Sequence, residues 1–228
     1  MDFNQIANYF SEMHVLQMFI LDILGTTDDY KKELGRIFEI SHDIKNNKYK
    51  IKSILHLIES ITSNHFYDKN YWERIEDILL LIKDDITNLL TNDEIFTIFK
   101  NNKKMILFLF QSNILIPDHS IFVILTNQTY ENFQNDYYFY TELNQFYVSN
   151  EKYDECSNLK DNLLHEQKRQ LGENDNDICH LIRNDLLNEF ISYLNKNNLS
   201  PNYEIIPSMY ETNQFLIQNK ANLINYSA

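Results

Sequence analysis

The sequence predicts an all-α protein of stacked antiparallel helix pairs, solenoid-like, with degenerate ankyrin-like pairs in its second half. Three observations carry that expectation. Glycine and proline occur only three times each in 228 residues, where average composition would give about 16 and about 11. Sandwiches and barrels need such residues at their frequent reversals, whereas Asn, Asp and Ser corners suffice between helices. Apolar residues make up 43% of the chain, enough to fill a core, and they recur at three- and four-residue spacing. Finally, two stretches about eighty residues apart repeat one helix–corner–helix pattern.

The elements follow in order. Ile6, Phe10, Met13, Leu16, Ile20 and Leu24 form one helical stripe that stops at Gly25, a residue suited to the position after a helix. A second helix is expected after Thr27, using Tyr30, Leu34, Ile37 and Phe38, and fraying into Lys45–Lys48. A third uses Ile51, Ile54, Leu55, Ile58 and Ile61, and a fourth runs from Trp72 through Ile75, Leu79, Ile82 and Ile86 to Leu89. Asn70 with Glu73, and Thr91 with Glu94, have capping-box spacing; the second has the Ser/Thr-type cap that the motif prefers.

From Glu94 onward short helices come in pairs. Glu94–Asn102 leads to a helix with Ile106, Leu107, Leu109 and Phe110, then to Asn113–Asp118. Asp177–Asp185 leads to one with Phe190, Ile191, Tyr193 and Leu194, then to Asn197–Asn202. With a single one-residue gap, Ile95 falls on Ile178, Ile98 on Leu181, Leu109 on Tyr193 and Pro117 on Pro201. Stacked hairpins of this kind characterise solenoids. Between the pairs, Tyr130–Tyr147 carries eight aromatics without a period and reads as an irregular or weakly helical segment laid over the preceding helices. A more helical stretch with Leu159, Leu163 and Leu171 ends at Gly172.

Composition also excludes several chemistries. A net charge of −13 and a pI near 4.9 repel nucleic acid and anionic membrane surfaces at long range. Two cysteines, Cys156 and Cys179, suit a reducing, intracellular and cytoplasmic setting better than a disulfide scaffold. The N-terminus lacks the basic region of a secretory signal. The longest apolar run, Met105–Ile116, is broken by polar residues and is short of the ~20 a membrane span needs. Sequons at Asn127, Asn198 and Asn225 are expected by chance in an asparagine-rich chain.

Isolated glycines make no phosphate loop, and G-x-S-x-G and H-E-x-x-H are missing from the sequence. His56 and Glu59 share a helix face without a third ligand. Cys179 and His180, with Cys156 and His165, lack the paired cysteines of a zinc site, and Cys179 reads as a buried apolar cysteine. Glu173–Asp177 has the acidic spacing of a calcium loop but not its sixth-position glycine or twelfth-position acid. It reads as the acidic start of a helix. Lys45/Lys48/Lys50/Lys52 and Lys100/Lys103/Lys104 read as solvated corners. Trp72 reads as core. No catalytic residue, metal or cofactor is therefore expected. An enzyme would need several of His14, His42, His56, His65, His119, His165, His180 and the cysteines to converge in one pocket.

The C-terminal third resembles a known family through Gly172–Asp175, Ile178–Arg183, Phe190–Tyr193, Pro207–Leu216 and Leu223–Ala228. These segments are similar to the expanded ankyrin-repeat proteins of trichomonad protozoa. Upstream, Leu55–Ile58, Ile75–Leu80 and Glu94–Lys100 are compatible with the helical N-terminal region of unknown function that those proteins carry. The resemblance implies a helical region over 1–172, followed over 173–228 by a degenerate helix pair and the truncated opening of an ankyrin repeat. Asn222–Ala228 occupies the place of the family's Thr-Pro-Leu-His-x-Ala-Ala opening, after which the family's array continues. A single opening helix cannot bury its own apolar face. Hence this is a fragment, or Leu223, Ile224 and Tyr226 dock back on the upstream pair, or they mediate self-association.

The expectation for function is a non-catalytic protein–protein interaction or scaffold module, its partner a protein and neither nucleic acid nor membrane. Tyr137, Tyr138 and Tyr140 of the aromatic run and Leu223, Ile224 and Tyr226 at the C-terminus are the candidate interaction surface, aromatics being the usual energetic anchors of interfaces. The alternatives are a purely structural N-terminal cap for an ankyrin array, self-associating through the C-terminal helix, and an unrecognised helical enzyme.

Overall fold

The computed structural model describes residues 3–25, 30, 34, 47–64, 69–126, 137–147, 163–219 and 221–226. Among them the regular elements are helical, and the pairing of extended backbone is confined to one isolated bridge, Glu204 with Asn222. The chain divides into two units, Met1–Lys100 with Gln111–Ile116, and Asn101–Phe110 with Pro117–Ala228.

In the first unit, α1 (Phe3–Gly25) buries Ile20, Ile23 and Leu24. Its terminal carbonyls, left without partners by helix geometry, are met by Arg74, whose Nη1 donates to the Ile23 and Leu24 oxygens at 2.8 Å each. The expected second helix lies largely outside the described residues; Tyr30 and Leu34 are helical, and Leu34 is buried. α2 (Lys48–Asn64) buries Ile51, Ile54, Leu55, Ile58 and Ile61, the stripe its spacing predicts. The expected fourth helix is broken. α3 (Lys69–Leu81) and α4 (Lys83–Leu89) meet at Ile82, whose φ/ψ of −104°/13° interrupts the helix. Asp84 and Asp85 then occupy the first turn of α4, where carboxylates are favoured by the helix dipole. The buried stripe carries on across the break through Ile78, Leu79, Ile82 and Ile86. Trp72 lies in the core. Asn70 sits within α3 rather than before it, so the weaker capping match does not start this helix.

The Thr91–Glu94 box is formed and starts α5 (Asn92–Phe99): the Glu94 amide donates to Thr91 Oγ1, and the Thr91 amide to Glu94 Oε2 at 3.0 Å. Glu94 also receives Lys48 at 2.8 Å and Lys52 at 3.8 Å, while Lys50 pairs with Glu12 at 2.7 Å. The described part of this basic patch is thus a set of surface ion pairs. The hydrogen bond from Lys48, then that from the Thr91 amide, holds the Glu94 carboxyl down at about 2.

In the second unit, α6 (Lys103–Gln111) is buried almost all round through Met105, Ile106, Leu107, Leu109 and Phe110. The division between the units falls between α5 and α6, inside the first expected helix pair. α7 (His119–Thr126) starts at Asp118, whose carboxylate accepts from the Ile121 amide at 2.9 Å. Part of the aromatic stretch, 130–136, lies outside the described residues. The remainder folds into the short α8 (Tyr140–Leu143) and a 3₁₀ turn over Asn144–Phe146. Phe139 stands edge-on to Phe110 at 5.9 Å, and Phe122 meets Phe146 and Tyr147 at 5.7 and 5.1 Å.

α9 (Leu163–Leu171) is the helix expected ahead of Gly172, but Leu163, Leu164 and Leu171 face outward and the buried side chains are His165 and Arg169. α10 (Asp177–Arg183) and α11 (Leu187–Asn197) form the second expected pair and pack on each other. Both end in a left-handed residue, Asp185 (φ 53°) and Asn198 (φ 52°). The Leu186 amide donates to the Leu181 oxygen, and the Leu199 amide to the Leu194 oxygen, each at 3.0 Å. This is the Schellman closure, with Asp and Asn standing where glycine is usual. A glycine-poor chain thus turns its corners. α12 (Gln214–Asn219) and α13 (Leu223–Tyr226) complete the second unit.

Candidate interaction surface

The C-terminal half of the second unit is organised around Ile178, Cys179, Ile205 and Leu223, against which Ile182, Phe190, Tyr193, Leu194, Leu199 and Tyr226 pack. The segment after α11 is tied to α13 by two backbone bonds, Ile205 N–H to the Ala221 oxygen at 2.8 Å and Leu223 N–H to the Tyr203 oxygen at 3.1 Å. Arg183 fastens the same region: its Nη1 donates to the Tyr226 hydroxyl at 2.6 Å, its Nη2 to the Asn174 oxygen at 2.7 Å, and its Nε pairs with Glu173 at 2.8 Å. Leu223 and Tyr226 therefore dock back onto the α10–α11 pair, while Ile224 remains 53% exposed.

The six residues expected to form an interaction surface are not placed alike. Tyr138, Tyr140 and Leu223 are interior side chains and offer nothing to a partner, which corrects that part of the expectation. The cause is the neighbourhood of Arg169 for Tyr138, whose hydroxyl donates to the Arg169 carbonyl oxygen at 3.1 Å, and the α10 core for Leu223. Tyr137 and Tyr226 are half-buried, and Ile224 is on the surface.

Among the exposed apolar side chains of the second unit, which also include Val123, Ile124, Leu163, Leu164, Leu171 and Ile206, are two on α11. None of its eleven residues is fully buried, and Leu187 (63%) and Ile191 (48%) stand one turn apart on its outer face. Two clefts open on the α10–α11 pair, and neither is lined by Leu187 or Ile191. One, about 620 Å³, lies along both helices between His180 and Leu181 on α10 and Glu189, Ser192 and Lys196 on α11. The other, about 560 Å³, lies between the start of α10 and the extended segment Tyr203–Ser208. Asp177 and Tyr193 belong to the walls of both.

Behind this face the second unit holds buried charge that periodicity did not signal. Arg169 is wholly enclosed; it pairs with Glu142 and Glu166, each at 2.8 Å, and donates to the Tyr138 oxygen at 2.6 Å. His165 Nδ1 and the Tyr210 hydroxyl are 2.9 Å apart. Glu211 is buried with one oxygen accepting from the Asn213 amide and the other without a hydrogen bond among the described residues. Burial pushes its carboxyl up.

Lys103, expected on a solvated corner, is also buried. Its Nζ donates to the Met209 oxygen at 2.9 Å and lies 4.7 Å from the centre of the Tyr138 ring. Burial lowers its ammonium to about 8 from an ordinary 10.5, with Glu211 pulling the other way. Between those two values the unfolded chain holds a proton that the folded chain has released, so rising pH favours the folded state. Cys179 opposes this above its ordinary value, so the Lys103 contribution is read by difference. The stability gap between the native chain and Lys103→Met is expected to move by about 1 kcal/mol in favour of the native chain from pH 7 to pH 9. Urea midpoints at the two pH values test this, and parallel shifts in the two chains would refute it.

Among the described residues, the thiol and imidazoles are scattered rather than grouped. Cys179 is buried, and that burial pushes its thiol up to about 11, the opposite of what activates a nucleophile. His14, His56, His119 and His180 are exposed and His165 is buried; His42, His65 and Cys156 lie outside the described residues. No three His, Cys, Asp or Glu side chains among the described residues are grouped to hold a metal ion. No described helix is long and apolar enough to cross a membrane. No family model, curated protein or solved structure matches this chain.

Proposed function

We propose that the chain is a non-catalytic protein-interaction module of an ankyrin-repeat protein, with its recognition face on the α10–α11 hairpin. The observation that carries this reading is α11 itself. It is a full helix with strong segregation of apolar and polar residues, yet its core side is only half covered and its outer face carries Leu187 and Ile191. Apolar surface left in water forgoes about 25 cal/mol for each Å² a partner could cover. Exposed apolar residues on a helix that also lines a cleft with polar walls are what a recognition surface presents. The ankyrin resemblance of residues 173–228 agrees with this use. A net charge of −13 directs the search to protein partners rather than nucleic acid, in a cytoplasmic setting.

The test is a partner-capture experiment with the native chain and the Leu187→Asp/Ile191→Asp variant. Both positions are exposed, so the helical circular-dichroism signal should be unchanged. The native chain is expected to bind a protein saturably, and the variant to bind it at least tenfold more weakly. Equal affinities would remove the face from recognition, and a native chain without a saturable partner would remove the module reading. The second reading, a structural cap for an ankyrin array, is favoured by Ile224, exposed on α13 where a following repeat would stack. It requires self-association of the isolated chain, and a monomer in sedimentation would exclude it.

A further inference from the structure

We infer that the cleft beside Tyr203–Ser208 receives a basic side chain, arginine above all, from an extended peptide segment of the partner. The inference rests on the interaction reading above and gives it a partner chemistry. The two clefts of this face differ in charge. The one along α10 and α11 mixes Asp177 and Glu189 with Lys196 and His180. The other has Asp175 and Asp177 as its only ionisable carboxylates or cations. Lys168 holds Asp175 at 2.7 Å, whereas the Asp177 carboxylate has no partner among the described residues.

The rest of the second cleft fits the same ligand. Tyr193 and Tyr203 supply two phenol rings whose hydroxyls bond to no described residue, and Ile178, Ile205 and Ile206 supply an apolar wall. A guanidinium on a three-carbon stem uses all three features. The stem lies along the isoleucines, the planar cation stacks on a phenol, and the fork donates to Asp177. An acidic side chain would meet two carboxylates and is rejected. Because Asp177 and Tyr193 also wall the neighbouring cleft, the receiving surface is longer than one side chain. The ligand is therefore a peptide rather than a free cation.

The experiment is binding of the full chain to arrayed heptapeptides, randomised except for a central Arg, Lys, Leu or Glu. The strongest arginine peptide is then measured by fluorescence anisotropy together with its citrulline counterpart. Retention is expected in the order Arg, Lys, then Leu and Glu near background. Citrulline is expected to weaken binding at least tenfold, as is Asp177→Asn, and Tyr203→Leu severalfold; added salt should weaken the arginine peptide only. N-acetyl-arginine amide should compete only at far higher concentration than the peptide. Equal binding of arginine and citrulline peptides, insensitivity to both substitutions, absence of saturable binding, or competition by the amide as strong as by the peptide would each overturn the inference. Partner capture that depends on Leu187 and Ile191 but not on Asp177 would overturn it while leaving the module reading intact.

Discussion

Arg169→Met is expected to destabilise the second unit by about 3–5 kcal/mol, which would be a large share of the total for a domain of ordinary stability. The size follows from what stays behind. Arg169 is fully enclosed and donates to Glu142 through both terminal nitrogens, to Glu166, and to the Tyr138 backbone oxygen. Glu166 is 39% exposed and can turn to water, but the Glu142 side chain is 10% exposed and cannot. Methionine fills the space and leaves a buried carboxylate without its cation, together with an orphan carbonyl. Lysine retains the charge but not the two-pronged geometry, so Arg169→Lys should recover only part of the loss. Adding Glu142→Leu to Arg169→Met should recover more, because the stranded charge goes with it. Urea midpoints at constant slope measure each step; a single-variant loss below about 1 kcal/mol would show that the network contributes little.

Why Arg169 was not legible in the sequence is instructive. The stripes of α2 and α3 could be read because burial of Ile and Leu is the ordinary outcome of helix packing, whereas only the Ile20–Leu24 end of the α1 stripe is buried and Phe10 is exposed. The Thr91–Glu94 cap was legible because its two bonds require those residues at that spacing. Helix α9 breaks the rule on which such reading rests. Its leucines face water, and its i, i+4 pair His165 and Arg169 faces inward, met by Tyr210 and Glu142 from distant segments. Nothing local to Leu163–Leu171 encodes those partners. Lys103 is a case of the same kind, its acceptor at Met209 being 106 residues away. The Ile82 break had a local sign in Asp84 and Asp85, overridden in the reading by an apolar stripe that runs straight through it. At the candidate surface, the α10–α11 pair was legible from its repeat. Which of Leu223 and Ile224 faces outward depends on how the 203–205 segment pairs with 221–223, a long-range contact.

Gly172→Ala is expected to cost about 2–3 kcal/mol and to act within the second unit, although the sequence reads this glycine as the boundary of a domain. The residue sits at φ +70°, a conformation that an added Cβ disfavours. That Cβ would also lie 2.8 Å from Thr212 Oγ1 and 3.1 Å from its methyl carbon. Thr212 has no freedom to withdraw, since its hydroxyl and its amide both donate to the Gly172 oxygen, at 2.7 and 3.1 Å. The glycine is therefore where α9 turns and is clasped by the segment ahead of α12, which ties together the two stretches a boundary would separate. If this contact is the source of the penalty, Gly172→Ala and Thr212→Ala should be less than additive, because removing the Thr212 hydroxyl and methyl clears the space the new methyl needs. Backbone strain alone would give additive losses. A Gly172→Ala chain as stable as the native one would mean that the backbone and Thr212 relax freely around the new methyl.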